Sequence, residues 1–254
     1  MESFDTLVDT IKTLRSPDGC PWDRAQDHLT VKNNLLEESY EVVEAIDAEE
    51  PGRLCEELGD LLMQVVFHAQ MAAESGDFTI EEVVRGINSK LVRRHPHVFG
   101  EVRAKSAAEA LVTWNAMKRE EKERGESILS GIPKAMPALA YAQAVQRRAA
   151  QVGFDWEEAK DIIDKLAEEV AEVKSAGDHR HMVREFGDLL FTLANIGRRL
   201  HIDLEPALRE ANKRFHDRFS HMEQACLERG VSLESLSLEE QDRLWEEAKR
   251  ATGG

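Results

Sequence analysis

Glu38, Glu41, Glu57 and Asp60 stand in a pattern that the chain writes a second time as Glu169, Glu172, Glu185 and Asp188. The first copy reads EESYE (37–41) and then ELGDLL (57–62); the second reads EEVAE (168–172) and then EFGDLL (185–190). Carboxylates three apart on a helix share one face. Two such helices packed antiparallel aim four carboxylates at one spot, where they repel one another and rise in pKa unless a cation sits among them. A hard divalent ion that takes oxygen ligands, Mg²⁺ first and Mn²⁺ as a substitute, answers that need. A Glu-x-x-Glu on a helix is ordinarily a solvated face. Here the acids interrupt apolar stretches, Leu35-Leu36 before the first pair and Leu61-Leu62-Met63 after the second. A glycine, Gly59 or Gly187, precedes each Asp. A mid-helix glycine costs about 0.5–1 kcal/mol against alanine, so a close approach is expected there.

The elements that must position these acids read as helices. Apolar residues recur at helical spacing, and no stretch sustains a strand-like alternation. Thr30 is placed to cap a helix running to about Asp47, stopped by Pro51-Gly52, and a second helix runs from about Arg53 to Glu74. Thr79 with Glu82 forms a capping box for a third, which ends before Pro96, and Ser106 with Glu109 opens a fourth, ending near Gly125. The second half repeats the order over about 157–175, 180–200 and 204–229, with a last helix capped by Ser237 and Glu240. The reading is an all-α chain of two units, each of about four helices.

More than the acidic motif repeats. Gly19-Cys20-Pro21-Trp22-Asp23 answers Gly153-Phe154-Asp155-Trp156-Glu157 at an offset of 134, the Glu-x-x-Glu pairs at 131, and Glu57 and Asp60 answer Glu185 and Asp188 at 128. Lys90 and Arg94 answer Arg214 and Arg218 at 124, and Trp114 answers Trp245 at 131. Landmarks in one order, with drifts that loops absorb, indicate an internal duplication. Between the copies, GESILSGIPKAMP (125–137) carries two glycines and two prolines, which sets the expected domains at 1–128 and 129–254.

Composition narrows the class. A net charge of −16 over 254 residues excludes a general surface for a nucleic-acid polymer, which favours clustered Lys and Arg. Three cysteines, none in a CxxC, suggest neither a disulfide framework nor a zinc site and fit a reducing, cytoplasmic setting. No apolar run approaches a membrane span, and the N-terminus lacks the features of a secretory signal. In so acidic a chain, Lys90/Arg94 and Arg214/Arg218, each pair at i and i+4, suit phosphate oxygens. Trp114 and Trp245 are candidates for base stacking, with a core role as the default.

The EExxE and ExxD arrangement, the following N-x-K/R-x-x-x-R helix, LLEESYEVVEAI and RRHPHVFG together resemble the MazG family of nucleoside triphosphate pyrophosphohydrolases over nearly the whole chain. The resemblance implies an all-α fold whose MazG-type domains pair into bundles in a homodimer. It also implies Mg²⁺-dependent cleavage between the α- and β-phosphates of a nucleoside triphosphate, yielding monophosphate and pyrophosphate. The metal ligands it implies are Glu38, Glu41, Glu57 and Asp60 in the first copy and Glu169, Glu172, Glu185 and Asp188 in the second. Lys165, Arg214, Arg218 and Trp245 align with its nucleotide contacts, and Lys90, Arg94 and Trp114 are their first-copy counterparts. Asn34 stands where the second copy has Lys165. The remaining acid of each EExxE, Glu37 or Glu168, is the candidate general base or outer-shell orienter. Clearance of non-standard nucleotides and hydrolysis of an alarmone are both compatible with the family. A rival from another class is a nucleotide or metal sensor that binds without turnover. A di-iron carboxylate bundle is disfavoured, because no histidine follows a Glu at i+3.

Overall fold

The computed structural model describes residues 2–121, 126–156 and 159–253. Among them it is all-α. The chain divides into two compact units, Met1–Glu123 and Arg124–Gly254. Among the described residues no helix is long and apolar enough to cross a membrane, and Cys20, Cys55 and Cys226 are free thiols.

The first unit runs α1 (Glu2–Leu14), α2 (Pro21–Ala25), α3 (Lys32–Asp47), α4 (Pro51–Ser75), α5 (Ile80–Arg94), α6 (Pro96–Phe99) and α7 (Ala107–Glu120). α3 packs along the length of α4, and α1 crosses α4 further on. The core sits beneath α1, where Ile11, Val31, Val66, Phe67 and Met71 are buried together. Pro51 opens α4 at a position where a missing N–H costs nothing, and Gly76 closes it in the left-handed conformation at φ 78°. The expected capping box of Thr79 and Glu82 is present on α5. Thr30 does not cap α3: its hydroxyl is taken up with the backbone of Asp27, and Val31 occupies the cap position.

The second unit runs α8 (Ala138–Ala150), α9 (Ala159–Ser175), α10 (His179–Arg199), α11 (Leu204–Arg229), a 3₁₀ turn (Leu233–Ser235) and α12 (Leu238–Ala251). α9 and α10 repeat the α3–α4 hairpin, and α8 lies across α10 as α1 lies across α4. Gly197 is the point of closest approach: a Cβ there would meet the side chain of Leu204 at 2.8 Å and Gln143 Nε2 at 3.0 Å. α11 and α12 form their own hairpin around Met222, Cys226, Leu244 and Ala248, and the Ser237–Glu240 capping box opens α12.

To the helices expected from the sequence the structure adds α1 and α8, one at the head of each unit, and the short α2 and α6. α1 and α8 alter the picture of the site, because they pack on the hairpins that carry the acids. The expected end of α7 near Gly125, the landmark at Glu157 and the expected start of α9 there lie outside the described residues.

Candidate active site

In the second unit the 3.6-residue period of α9 puts Glu169 and Glu172 on the face that meets α10, and α10 brings up Glu185. One carboxylate oxygen from each of the three lies within 4.8 Å of the others. Glu169 is 4% exposed. Its Oε1 receives Lys165 Nζ at 3.0 Å, and its buried Oε2 has no hydrogen-bond partner. Lys165 also reaches Glu168 at 3.1 Å. Its hydrogen bonds to Glu169 and then to Glu168 hold the ammonium well above the usual lysine range. His181 Nε2 lies 3.0 Å from Glu185, whose side chain is 12% exposed. Burial, and after it the charge of Glu169, pushes the Glu172 carboxyl up, with Lys165 pulling against that rise.

The first unit builds the same knot from α3 and α4. Glu38, Glu41 and Glu57 are each half-buried, with one oxygen apiece inside 4.8 Å. Burial, then the charge of Glu57, raises Glu41. The cation here is Arg53, whose Nε meets Glu57 at 3.2 Å and whose Nη2 meets Glu44 at 3.2 Å. In both units three of the four expected acids converge, and the convergent groups do not include Asp60 or Asp188. The donor set is oxygen only, with a buried carboxylate oxygen left unpartnered in the second unit. That fits a hard divalent cation and would suit a soft one poorly.

A cavity of about 640 Å³ adjoins the second knot. Lys165, Glu169 and Asp188 line it, together with the aromatic side chains of Phe154, Trp156 and Phe191. Asp188, Phe191, Thr192 and Asn195 follow one another at helical spacing along the α10 face that lines it.

Two family descriptions match the two units in turn. Residues 26–99 match the MazG nucleotide pyrophosphohydrolase domain, and residues 141–215 match phosphoribosyl-ATP pyrophosphohydrolase. The nucleoside triphosphate pyrophosphohydrolase/pyrophosphatase MazG of Thermotoga maritima is 47% identical over 247 residues, covering 97% of this chain and 95% of its own. The chain belongs to the MazG family. The nucleoside triphosphate pyrophosphohydrolase of Escherichia coli is 41% identical over 98% of each chain. In Bacillus subtilis the same stretch matches at 46% identity but makes up 51% of the protein YabN, so the tandem pair also occurs inside a longer chain. Each of the two matched stretches spans one carboxylate knot.

Other basic and aromatic residues expected at the sites of this MazG chain pair with one another. Arg94 stacks over Trp114 at 5.3 Å, as Arg218 stacks over Trp245 at 5.9 Å. In the first unit Glu121 binds Arg94, and Arg93 at 2.6 Å, and these two arginines pull its carboxyl down to about 2, Arg94 contributing first. In the second unit the buried Arg218 Nε has no hydrogen-bond partner. Trp245 packs on the α11–α12 core and tilts against Phe215 at 5.3 Å. Arg214 pairs with Glu210 at 2.9 Å, Lys90 is exposed on α5, and Glu37 is exposed beside the first knot.

Sequence reasoning passed over Arg53, His181, Glu121 and Gln146. A signal existed for two of them: Arg53 precedes Glu57, and His181 precedes Glu185, by the four residues that make neighbours on a helix. Glu121 and Gln146 meet their partners across the fold, which spacing does not report.

Proposed function

We propose that this chain is a Mg²⁺-dependent nucleoside triphosphate pyrophosphohydrolase that cleaves between the α- and β-phosphates and releases monophosphate and pyrophosphate. The observation that carries the reading is Glu169: a carboxylate nine-tenths buried, one oxygen held by Lys165 and the other without a partner, within 4.8 Å of two more carboxylates. Glu169, Glu172 and Glu185 would hold the cation, as Glu38, Glu41 and Glu57 would in the first unit. Bound there, the ion supplies a Lewis acid for the phosphate oxygens and lowers the pKa of a coordinated water.

The chain's own residues do the remainder. Lys165 offers a point charge to the triphosphate beside the carboxylates. Glu168, 56% exposed and tethered to Lys165, would accept a proton from an attacking water or orient that water. Arg218, stacked over Trp245, would offer its guanidinium to a phosphate oxygen. For the first unit a binding-only reading has support. Asn34 replaces the lysine, Arg53 already neutralises Glu57, and Glu121 occupies Arg94.

The homodimer belongs to this proposal as well. Leu58, Leu62 and Val65 on α4, and their counterparts Phe186, Leu190 and Leu193 on α10, form exposed apolar stripes. A Cβ at Gly59 or Gly187 meets nothing within 4 Å in the chain. A second copy packed along these stripes would account for both features.

The deciding experiment measures pyrophosphate and monophosphate from a panel of common, deoxy and damaged nucleoside triphosphates, and from a guanosine alarmone, with and without Mg²⁺. Full-length protein is compared with Glu41→Gln and Glu172→Gln. Mg²⁺-dependent pyrophosphate abolished by Glu172→Gln upholds the reading. Nucleotide binding with no product from any form makes the chain a sensor.

A further inference from the structure

Asp155, Arg198 and Asn195 all line the cavity of the second unit, and they are joined to one another. Arg198 Nη2 binds Asp155 Oδ1 and, at 2.7 Å, Asn195 Oδ1; its Nε meets the same amide oxygen at 3.1 Å. Asp155 Oδ1 also accepts from Trp156 N at 3.0 Å, and Oδ2 accepts from Arg199 Nη1 at 3.4 Å. The three side-chain oxygens of the cluster are therefore each already accepting. A guanidinium only donates, so the Asn195 amide cannot turn over, and the end it leaves unpaired is the Nδ2 amino group. Neither Asn195 Nδ2 nor Arg198 Nη1 has a hydrogen-bond partner among the described residues. Glu169 Oε2 is buried without a partner, whereas these two nitrogens are not buried and stay open to solvent. What the cluster offers a ligand is a pair of donors.

α10 fixes where this cluster stands. Glu185 is the contribution of α10 to the carboxylate knot, and Asn195 follows it by ten residues, ~15 Å at the rise of an α-helix. Asp188 and Phe191 line the cavity between them. A ligand with its phosphates at the knot and a flat ring against Phe191 brings the edge of that ring toward Asn195. An edge that meets donors needs acceptors. Guanine and thymine carry a carbonyl oxygen where adenine and cytosine carry an amino group, itself a donor, and uracil and hypoxanthine share the carbonyl.

The first unit has none of the three residues. On the offset of its acidic motif, 128, Phe67 stands at the position of Asn195 and Gln70 at that of Arg198; on the offset of Gly19, 134, Pro21 stands at that of Asp155. Phe67 is part of the packed core there, with Arg15 over its ring at 5.1 Å, and Gln70 donates to Glu74 at 2.9 Å.

We propose that Asn195 is a specificity residue of the second unit, its Nδ2 donating to the carbonyl oxygen of a keto nucleobase seated in the cavity. Uracil, thymine, guanine and hypoxanthine are then favoured over cytosine and adenine. The inference rests on the nucleotide reading of the neighbouring knot.

The test uses full-length protein carrying Glu41→Gln, so that the first knot does not contribute, and calorimetric titration with Mg²⁺ and α,β-methylene triphosphates. The uridine analogue is expected to bind about tenfold tighter than the cytidine analogue, and the inosine analogue about tenfold tighter than the adenosine one, the worth of one hydrogen bond. Asn195→Asp keeps an oxygen for Arg198 and puts an acceptor where the donor was. It should weaken all four analogues through its charge and bring both ratios below one. Asn195→Ala should bring them to about one, and thermal melts show that each variant is folded. A ratio at or below one in the parent, a tenfold ratio that survives either folded substitution, or no binding of any analogue overturns the proposal. Pyrophosphate release from UTP and CTP is followed in parallel. Turnover with equal binding of each pair removes the base contact and leaves the hydrolase reading standing. Binding with the expected ratios but no product does the reverse.

Discussion

Lys165 Nζ stands 3.0 Å from Glu169 Oε1, one turn along α9, while Oε2 of the same carboxylate is buried and unpartnered. The two oxygens thus differ: one is held by an organic cation and the other has no hydrogen-bond partner. The first unit cannot make this contact, because Asn34 stands in place of the lysine and the compensating charge, Arg53, comes from α4 and binds Glu57. Lys165→Met should therefore leave the helices in place but strip the knot of its cation. Pyrophosphate release is expected to fall by roughly 10²–10³, the scale of losing one aligned donor at a developing charge, and the metal-free Tm should drop. A variant with the parent's kcat/KM would show that Lys165 serves only the fold.

The two knots should contribute unequally. Glu172→Gln in the full chain is expected to reduce turnover by more than the roughly 10–100-fold that even an outer-shell metal partner costs. Glu41→Gln should reduce it by less than about twofold, since Glu121 and Arg53 already occupy the basic and acidic groups of its unit. Steady-state pyrophosphate assays on both variants decide this. Equal losses would make the units equivalent, and a larger loss in Glu41→Gln would reverse the assignment.

How much of this was legible in the sequence follows from the range of each interaction. The hairpins α3–α4 and α9–α10 declare themselves through apolar periodicity and Pro51, and α5 and α12 through their capping boxes, all of which act within a few residues. The acids declare themselves too, since i,i+3 spacing fixes a face before any tertiary contact forms. α8 did not, because Gln143 and Gln146 occupy its buried face and break the apolar stripe. Nothing local says that a buried glutamine will find carbonyls 45 and 59 residues away. The same holds for Glu121, whose partners come from α5.

Metal should register as stability, with a definite dependence on pH. Burial and then neighbouring charge raise Glu41 and Glu172, so each is held ionised at neutral pH against the preference of its surroundings. For a carboxyl raised on folding, ionisation in place costs stability, and the cost grows as pH climbs through the raised value. A divalent cation cancels that cost, whereas a proton competes with the cation. Mg²⁺ is thus expected to raise Tm saturably at about pH 7, by an amount that grows as RT ln(1 + [L]/Kd), and to raise it far less at about pH 5. Thermal melts in Mg²⁺ and in EDTA at the two pH values check this. A Mg²⁺ effect that grows on acidification would remove the carboxylates as its source.

Glu121 gives the opposite sign and links stability to function in the first unit. Arg94, then Arg93, hold its carboxyl at about 2, below the 4.5 of an unperturbed Glu. Its contribution is therefore present above the unfolded-state value and is lost as pH falls from 4.5 toward 2. The group is partly exposed, so Glu121→Gln should cost at most about 1 kcal/mol at neutral pH, and the difference from the parent should vanish in acid. The same substitution frees Arg94 where it stacks over Trp114. Combined with Asn34→Lys, which restores the charge that Lys165 gives the second unit, it should raise the first unit's triphosphate affinity above the parent's. Calorimetric titration in a Glu172→Gln background isolates that site. A double variant that binds no better than the Glu172→Gln protein would show that Glu121 is a structural clamp and that the first unit's deficit lies elsewhere.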